Sequence, residues 1–211
     1  MSANHLIEQY PIAISILEEW LKISNIEKLE TGHELFQILF PPLDLLTDDD
    51  ILQLRRNIEF LSQVNLVFNK IMLYYGLYYD GSFLQIINLN LYKVHFIMGT
   101  SLIKILNILT DNTFELDATD PNILDLNIYN LYLLNLNELD NLNLKTFDPS
   151  KLEDTSNEYN IEHIRIGQIL QFLRTLKLMT PYQALKDISI YAGEDYPEYI
   201  LPEILELWKE S

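Results

Sequence analysis

The chain of 211 residues contains no cysteine. This excludes disulfides, thiolate catalysis and cysteine-based zinc sites. Small secreted domains lean on disulfide staples, so a reducing compartment is expected, intracellular and either cytoplasmic or nuclear. Glycine and proline are scarce, at 6 and 8 residues, too few for an all-β domain with many tight turns. Cations are scarce as well. The 14 Lys and Arg face 31 Asp and Glu, a net charge of −17. A chain of that sign repels phosphates, which argues against nucleic acid as a partner. Long apolar runs are missing too. Gly81 to Tyr92 is free of charge for only 12 residues, whereas a membrane span needs about 20. The polar stretch Met1 to Tyr10 has no signal-peptide hydrophobic region. No membrane association is expected.

Catalytic signatures are lacking in the same way. His5, His33, His95 and His163 are the only histidines, and no two stand three or four residues apart, so no helical metal pair is encoded. There is no nucleophile elbow, no P-loop and no dinucleotide fingerprint. Asp48, Asp49 and Asp50 open a helix, where the dipole favours them, and the alternating acids of an EF-hand are absent. Neither metal nor cofactor is expected. The remaining acid/base options are Glu30 beside His33, or Glu162 with a histidine.

What is present is apolar: 48% of the residues are hydrophobic, which opposes wholesale disorder. The length suits one domain. Helical spacing predicts a first helix over His5–Ile23, with Ile12, Ile16, Trp20 and Ile23 on one stripe and Leu17 and Leu21 beside it. A short apolar piece, Gly32–Phe40, is stopped by Pro41 and Pro42. The clearest element is Thr47–Tyr75. Thr47 caps it, and Ile51, Leu54, Ile58, Leu61, Asn65, Phe68, Met72 and Tyr75 form a heptad-like stripe ended by Gly76. The stripe fits a coiled-coil seam with Asn65 as register residue, or the central helix of a bundle. Leu66, Val67 and Ile71 widen the apolar face and favour the bundle.

Tyr74, Tyr75, Tyr78 and Tyr79 crowd one turn, either as a wet binding surface or as the lid of a core. Ser82–Thr110 reads as an apolar lead-in and then a helix whose face carries Met98, Leu102, Ile105 and Leu109; Phe83–Leu91 fits a strand or a helix. Residues 111–160 read as an insertion or flexible segment, with Leu-Asn steps that sustain no repeat period. Helical pattern returns over Ile161–Leu178, where Ile161, Ile169, Phe172, Leu173 and Leu176 face a core. Arg165 stands between Ile164 and Ile166 and is expected to snorkel, to pair with a carboxylate or to anchor an anion. Thr180 and Pro181 open another helix to about Ala192, and a last short helix ends near Trp208.

Two stretches together resemble the opioid growth factor receptor conserved-region family. One is Leu29-Glu30-Thr31-Gly32-His33-Glu34-Leu35-Phe36-Gln37-Ile38-Leu39-Phe40-Pro41, followed by the long helix ending Met72-Leu73-Tyr74-Tyr75-Gly76-Leu77. The other is His163-Ile164-Arg165-Ile166-Gly167-Gln168-Ile169-Leu170. The resemblance spans about residues 29–77 and 161–178, and it departs from the family pattern at Ile38, where a Trp is usual. It implies an all-helical domain and, for the receptor itself, peptide binding.

The expected architecture is a mainly α, irregular multi-helix bundle over residues 1–211, built around a long central helix, with the insertion at 111–160. The expected function is non-enzymatic binding of a protein or peptide, of basic character given the chain's own charge. The candidate binding residues are His33, Gln37, Tyr75 and Arg165. Two other functions fit the composition: an acidic inhibitor that masks a basic nucleic-acid-binding surface, and an enzyme using carboxylate and histidine acid-base chemistry.

Overall fold

Ser2 accepts a hydrogen bond from the His5 amide and starts helix α1, Ala3–Trp20. Its inward stripe is Ala3, Leu6, Tyr10, Ala13, Ile14, Leu17 and Leu21. Ile12 and Ile16, expected inside, are exposed. Isoleucine and leucine occupy several faces of this helix, so apolar spacing alone misplaced the core side by about one residue. The structure, a computed structural model, describes residues 1–22, 28–29, 32–97, 99 and 161–211. Ile23, the insertion at 111–160, and Leu102, Ile105 and Leu109 lie outside the described residues.

Helix α2, His33–Leu39, buries Leu35, Phe36 and Leu39 and packs on α1, where the Tyr10 hydroxyl donates to the Leu39 carbonyl at 2.9 Å. After a 3-10 turn at Leu43–Leu45, Thr47 and Asp50 form a capping box that opens α3, Asp48–Arg56. The Asp50 carboxylate also accepts the Ala3 amide at 2.7 Å and so ties the starts of α1 and α3 together.

Thr47–Tyr75 is not one helix. The chain breaks at Asn57, whose backbone is extended and whose side chain accepts from the Phe60 amide at 2.9 Å. Asn57 thus ends α3 and caps α4, Ile58–Tyr74. Across the break the apolar stripe no longer forms a seam. Ile58 is 82% exposed, and the inward face of α4 is Phe60, Val64, Val67, Phe68, Ile71, Met72 and Tyr74. Gly76 ends α4 with φ 75°; a Cβ there would lie 2.6 Å from the Asn88 carbonyl oxygen.

A two-stranded antiparallel hairpin follows, β1 Leu77–Tyr79 and β2 Leu84–Ile86, with Tyr78 opposite Gln85. One helical turn, α5 Leu89–Leu91, runs into a π-helical turn, Tyr92–Ile97. The helical pattern after residue 160 becomes α6 Ile161–Thr175, α7 Met179–Asp195 and α8 Pro202–Glu210. Phe172, Leu173 and Leu176 are buried as expected, whereas Ile161 is exposed. Thr180 does not cap α7, which starts one residue earlier with Leu178 at the cap position and no side-chain bond there. Pro202 opens α8 as a first-turn proline.

The chain is therefore mainly α, with eight α-helices and one small hairpin among the described residues. Helices α1, α3 and α4 lie side by side: Tyr10 meets Phe60 at 4.7 Å between ring centroids, and Lys70 pairs with Glu18 at 3.0 Å. Helix α8 covers α6 and α7. Phe40, at the end of α2, packs edge-on against Phe172 of α6 at 6.0 Å and joins the N-terminal helices to the C-terminal ones.

Candidate functional site

The polar centre of the molecule forms where α2, α4 and α6 meet. Helix α6 places Glu162 and Arg165 three residues apart on its inward side, 4% and 3% exposed. Arg165 Nη1 reaches Glu162 Oε1 at 2.7 Å. From the end of α4, the Tyr75 hydroxyl donates to Glu162 Oε2 at 2.7 Å. From α2, the Phe36 ring lies under the Arg165 guanidinium, 5.0 Å from centroid to Cζ. The carboxylate thus bridges a phenol and a guanidinium from different parts of the chain. Burial, and then the charge of Glu162, hold the Tyr75 phenol above its ordinary pKa, so it stays a donor.

Beside this triad runs an aromatic array. Tyr75 meets Phe96 at 5.6 Å, Phe96 stacks on Tyr92 at 5.3 Å, and Trp208 of α8 stands 6.3 Å from Phe96 and 5.6 Å from His163. Trp208 Nε1 donates to the His163 carbonyl at 3.0 Å, and His163 Nε2 donates to the Ile97 carbonyl at 3.0 Å. A carbonyl only accepts, so this bond sets the tautomer of His163. Burial lowers the His163 pKa to about 4, although its bond to the Ile97 carbonyl opposes the shift. His95 sits on the π-helical turn, 4.7 Å from the Tyr74 ring, fully buried and with neither ring nitrogen hydrogen-bonded among the described residues. Desolvation lowers its pKa to about 3.

Of the four residues singled out in the sequence, the structure brings two together. Tyr75 and Arg165 share Glu162. His33 and Gln37 stand on the exposed face of α2, and no hydrogen bond joins either to the triad or to each other. Of the expected fates of Arg165, pairing with a carboxylate is the observed one. In the sequence Glu162 stands out only as an acid/base partner for a histidine; its spacing from Arg165, three residues on one helix, is the signal for the pair. The Glu162 carboxylate is bonded by Tyr75 and Arg165, while His163 turns to Ile97. Glu30 lies outside the described residues. Among the described residues no group of three or more histidines, aspartates or glutamates is placed to hold a metal ion.

Chemically, the triad is a buried junction rather than a reachable reaction centre. Its three residues are 1–4% exposed. It ties the end of α4 to α6 through Tyr75 and Glu162, and α2 meets it through the Phe36 ring under Arg165.

The accessible features lie elsewhere. The hairpin exposes Tyr78, Phe83 and Ile86, and Leu89 follows them; Phe83 is 69% exposed. Its turn is held by Asp80, whose Oδ1 accepts the Ser82 and Phe83 amides at 2.8 and 2.9 Å. Those bonds lower the Asp80 pKa. Two grooves flank α6. One, of about 260 Å³, is lined by Pro41, Pro42, Asp44, Gln168 and Gln171. The other, of about 500 Å³, is lined by Gln171, Arg174, Thr175, Leu207, Glu210 and Ser211.

No family model, curated protein or solved structure matches this chain. Among the described residues no helix is long and apolar enough to cross a membrane.

Proposed function

We propose that this chain is a non-enzymatic binding module for a protein or peptide of basic character. The observation that carries this reading is the hairpin. It presents Tyr78, Phe83, Ile86 and Leu89 outward within a dozen residues, while Asp80 locks the turn between the strands. Aromatic side chains held on a rigid turn lose little freedom on binding. The net charge of −17 would speed encounter with a basic surface.

The resemblance to the opioid growth factor receptor conserved region belongs to the same proposal. The two stretches that carry it meet in the Phe36–Arg165 and Tyr75–Glu162 contacts, which supports reading them as one structural unit. The peptide specificity of the receptor is not carried over: the matched residues Tyr75 and Arg165 are buried and engaged with Glu162. The acidity also favours a second reading, in which the partner's basic surface is one that otherwise binds nucleic acid and is masked here by charge.

A photo-crosslinking side chain placed at Phe83 of the full chain tests the module. One basic protein should be captured from the source cell in stoichiometric yield, and Tyr78→Ala should remove it. Capture should weaken as salt rises through about 0.5 M, where exposed charges are screened within a few ångströms. Equal capture from a crosslinker at exposed Ser62, or none at Phe83, would overturn the hairpin reading. Displacement of the captured protein from nucleic acid would select the masking role.

A further inference from the structure

The turn Tyr92–Ile97 is π-helical, an uncommon backbone form that is frequent at functional sites. It is held from outside. Its Phe96 ring meets Tyr75, at the end of α4, at 5.6 Å, and Trp208 of α8 at 6.3 Å. The hydrogen bond that ties it to α6 runs from His163 Nε2 to the Ile97 carbonyl at 3.0 Å. Two histidines therefore lie along one seam. His95 is inside the turn, 0% exposed, and His163 faces its end, 1% exposed.

Closure treats the two rings differently. His163 has its Nε2 satisfied. His95 has neither ring nitrogen hydrogen-bonded among the described residues, so the closed turn keeps a polar ring from water with nothing in exchange. A protonated imidazole fares worse there, since it carries two donors and a charge. Burial is the leading reason that both rings resist protonation when closed. The neighbours do not offset it. From α4 the turn is faced by the Tyr74 and Tyr75 phenols. From α6 it is faced by Glu162 and Arg165, which are bonded to each other, and from α8 by Trp208. Asp195, Tyr191 and Tyr196 act on Tyr92. Among the described residues neither histidine has an ion-pair partner. Phenols titrate near about 10 and carboxylates near about 4, so between pH 7 and pH 5 the change of charge falls on the histidines.

We propose that Tyr92–Ile97 is an acid-operated latch, which opens as a unit while the rest of the fold persists and takes up two protons, one on His95 and one on His163. Opening lifts Phe96 from Tyr75 and Trp208 and uncovers the aromatic array beside the Glu162 triad. Each histidine freed into water raises the open fraction about 25-fold between pH 7 and pH 5, so the two together raise it about 600-fold. The latch stands apart from the hairpin and does not rest on the binding role proposed for it.

Native-state hydrogen exchange of the full chain tests it. The amides of Phe96 and Ile97 are followed by NMR from pH 7 to pH 5, with Val64 and Val67 of α4 as reference, each corrected for its intrinsic exchange rate. The turn should open more readily than α4 at every pH, with an opening constant that rises about 600-fold on acidification. In His95→Phe and in His163→Gln, each taken alone, the rise should fall to about 25-fold. Should either variant fail to fold, the size of the wild-type rise still separates two protons from one. Turn amides protected as well as Val64 and Val67 would show that the segment opens only with the whole fold, and would overturn the latch. A wild-type rise of about 25-fold or less would overturn it too, because at most one histidine would then be coupled to opening.

Discussion

Arg165 shows what a single residue does in this core. It is one of four arginines in the chain, and it is committed to a buried carboxylate and an aromatic face instead of to solvent. Desolvating both charges offsets much of their attraction, so the pair adds less to net stability than to uniqueness of packing. Breaking it is different. Arg165→Met removes the cation paired with buried Glu162, and should destabilise the protein by about 3–5 kcal/mol. Adding Glu162→Leu should restore most of that loss. Urea denaturation of the single and double variants measures the coupling; equal stability of Arg165→Met and the wild type would show that the pair carries nothing. The sequence showed that Arg165 is flanked by isoleucines and needs a partner. It could not show which carboxylate, because Tyr75 lies 87 positions from Glu162 and is brought there only by the packing of α4 on α6.

At the scale of elements, Asn57 is the residue that apolar spacing hides. The leucines and isoleucines from Ile51 to Tyr75 run past it without interruption, so periodicity predicts one long helix. Asn57 prefers instead to accept the Phe60 amide with its own side chain, which starts a new helix. The inward face then turns by about one residue, from the Leu61–Asn65 stripe to Phe60, Val64 and Val67. Asn57→Ala removes the cap of α4 and should cost about 1 kcal/mol, read from the shift in urea midpoint at constant slope. No change would mean that packing of Phe60 alone sets the break. The helix ends marked by Thr47 and Gly76 were legible, because capping and left-handed turns are local chemistry. Those of α6 and α7 were not: the α6 turn uses Lys177 where glycine is the usual signal, and α7 starts without a side-chain cap.

For the whole molecule, the two buried histidines couple the fold to acidity. Both bind a proton less readily when folded, with pKa values lowered to about 3 for His95 and about 4 for His163. The unfolded chain, with histidines near 6.5, takes up protons first as the pH falls. Their contribution to stability is therefore complete above about pH 6.5, and is lost progressively down through the folded values. Between pH 7 and pH 5 the loss is about 2 kcal/mol per histidine, which depends on the window and not on how far below it the folded values lie. His95→Phe should flatten the stability difference between those pH values by about that amount, followed by urea denaturation at each pH. Relief of the acidic self-repulsion acts on wild type and variant alike, so the comparison isolates His95. An unchanged pH dependence would mean that His95 is not held neutral by burial.

The sequence by itself determined the helical class, since helical spacing, few turn residues and local caps are properties of neighbouring residues. It also determined the absence of cysteine chemistry and the strong negative charge. Only the tertiary structure decided which face of each helix turned inward, because isoleucine and leucine stand on several faces of α1 and α4 and the choice falls to whichever partner helix they meet. It alone joined Tyr75 to Arg165 through Glu162 and left His33 and Gln37 in solvent. It alone set Gln168, Gln171 and Arg174 beside Pro41 and Ser211. Those neighbours are distant in sequence, and no local pattern records which carboxylate, ring or carbonyl the folded chain carries to a given side chain.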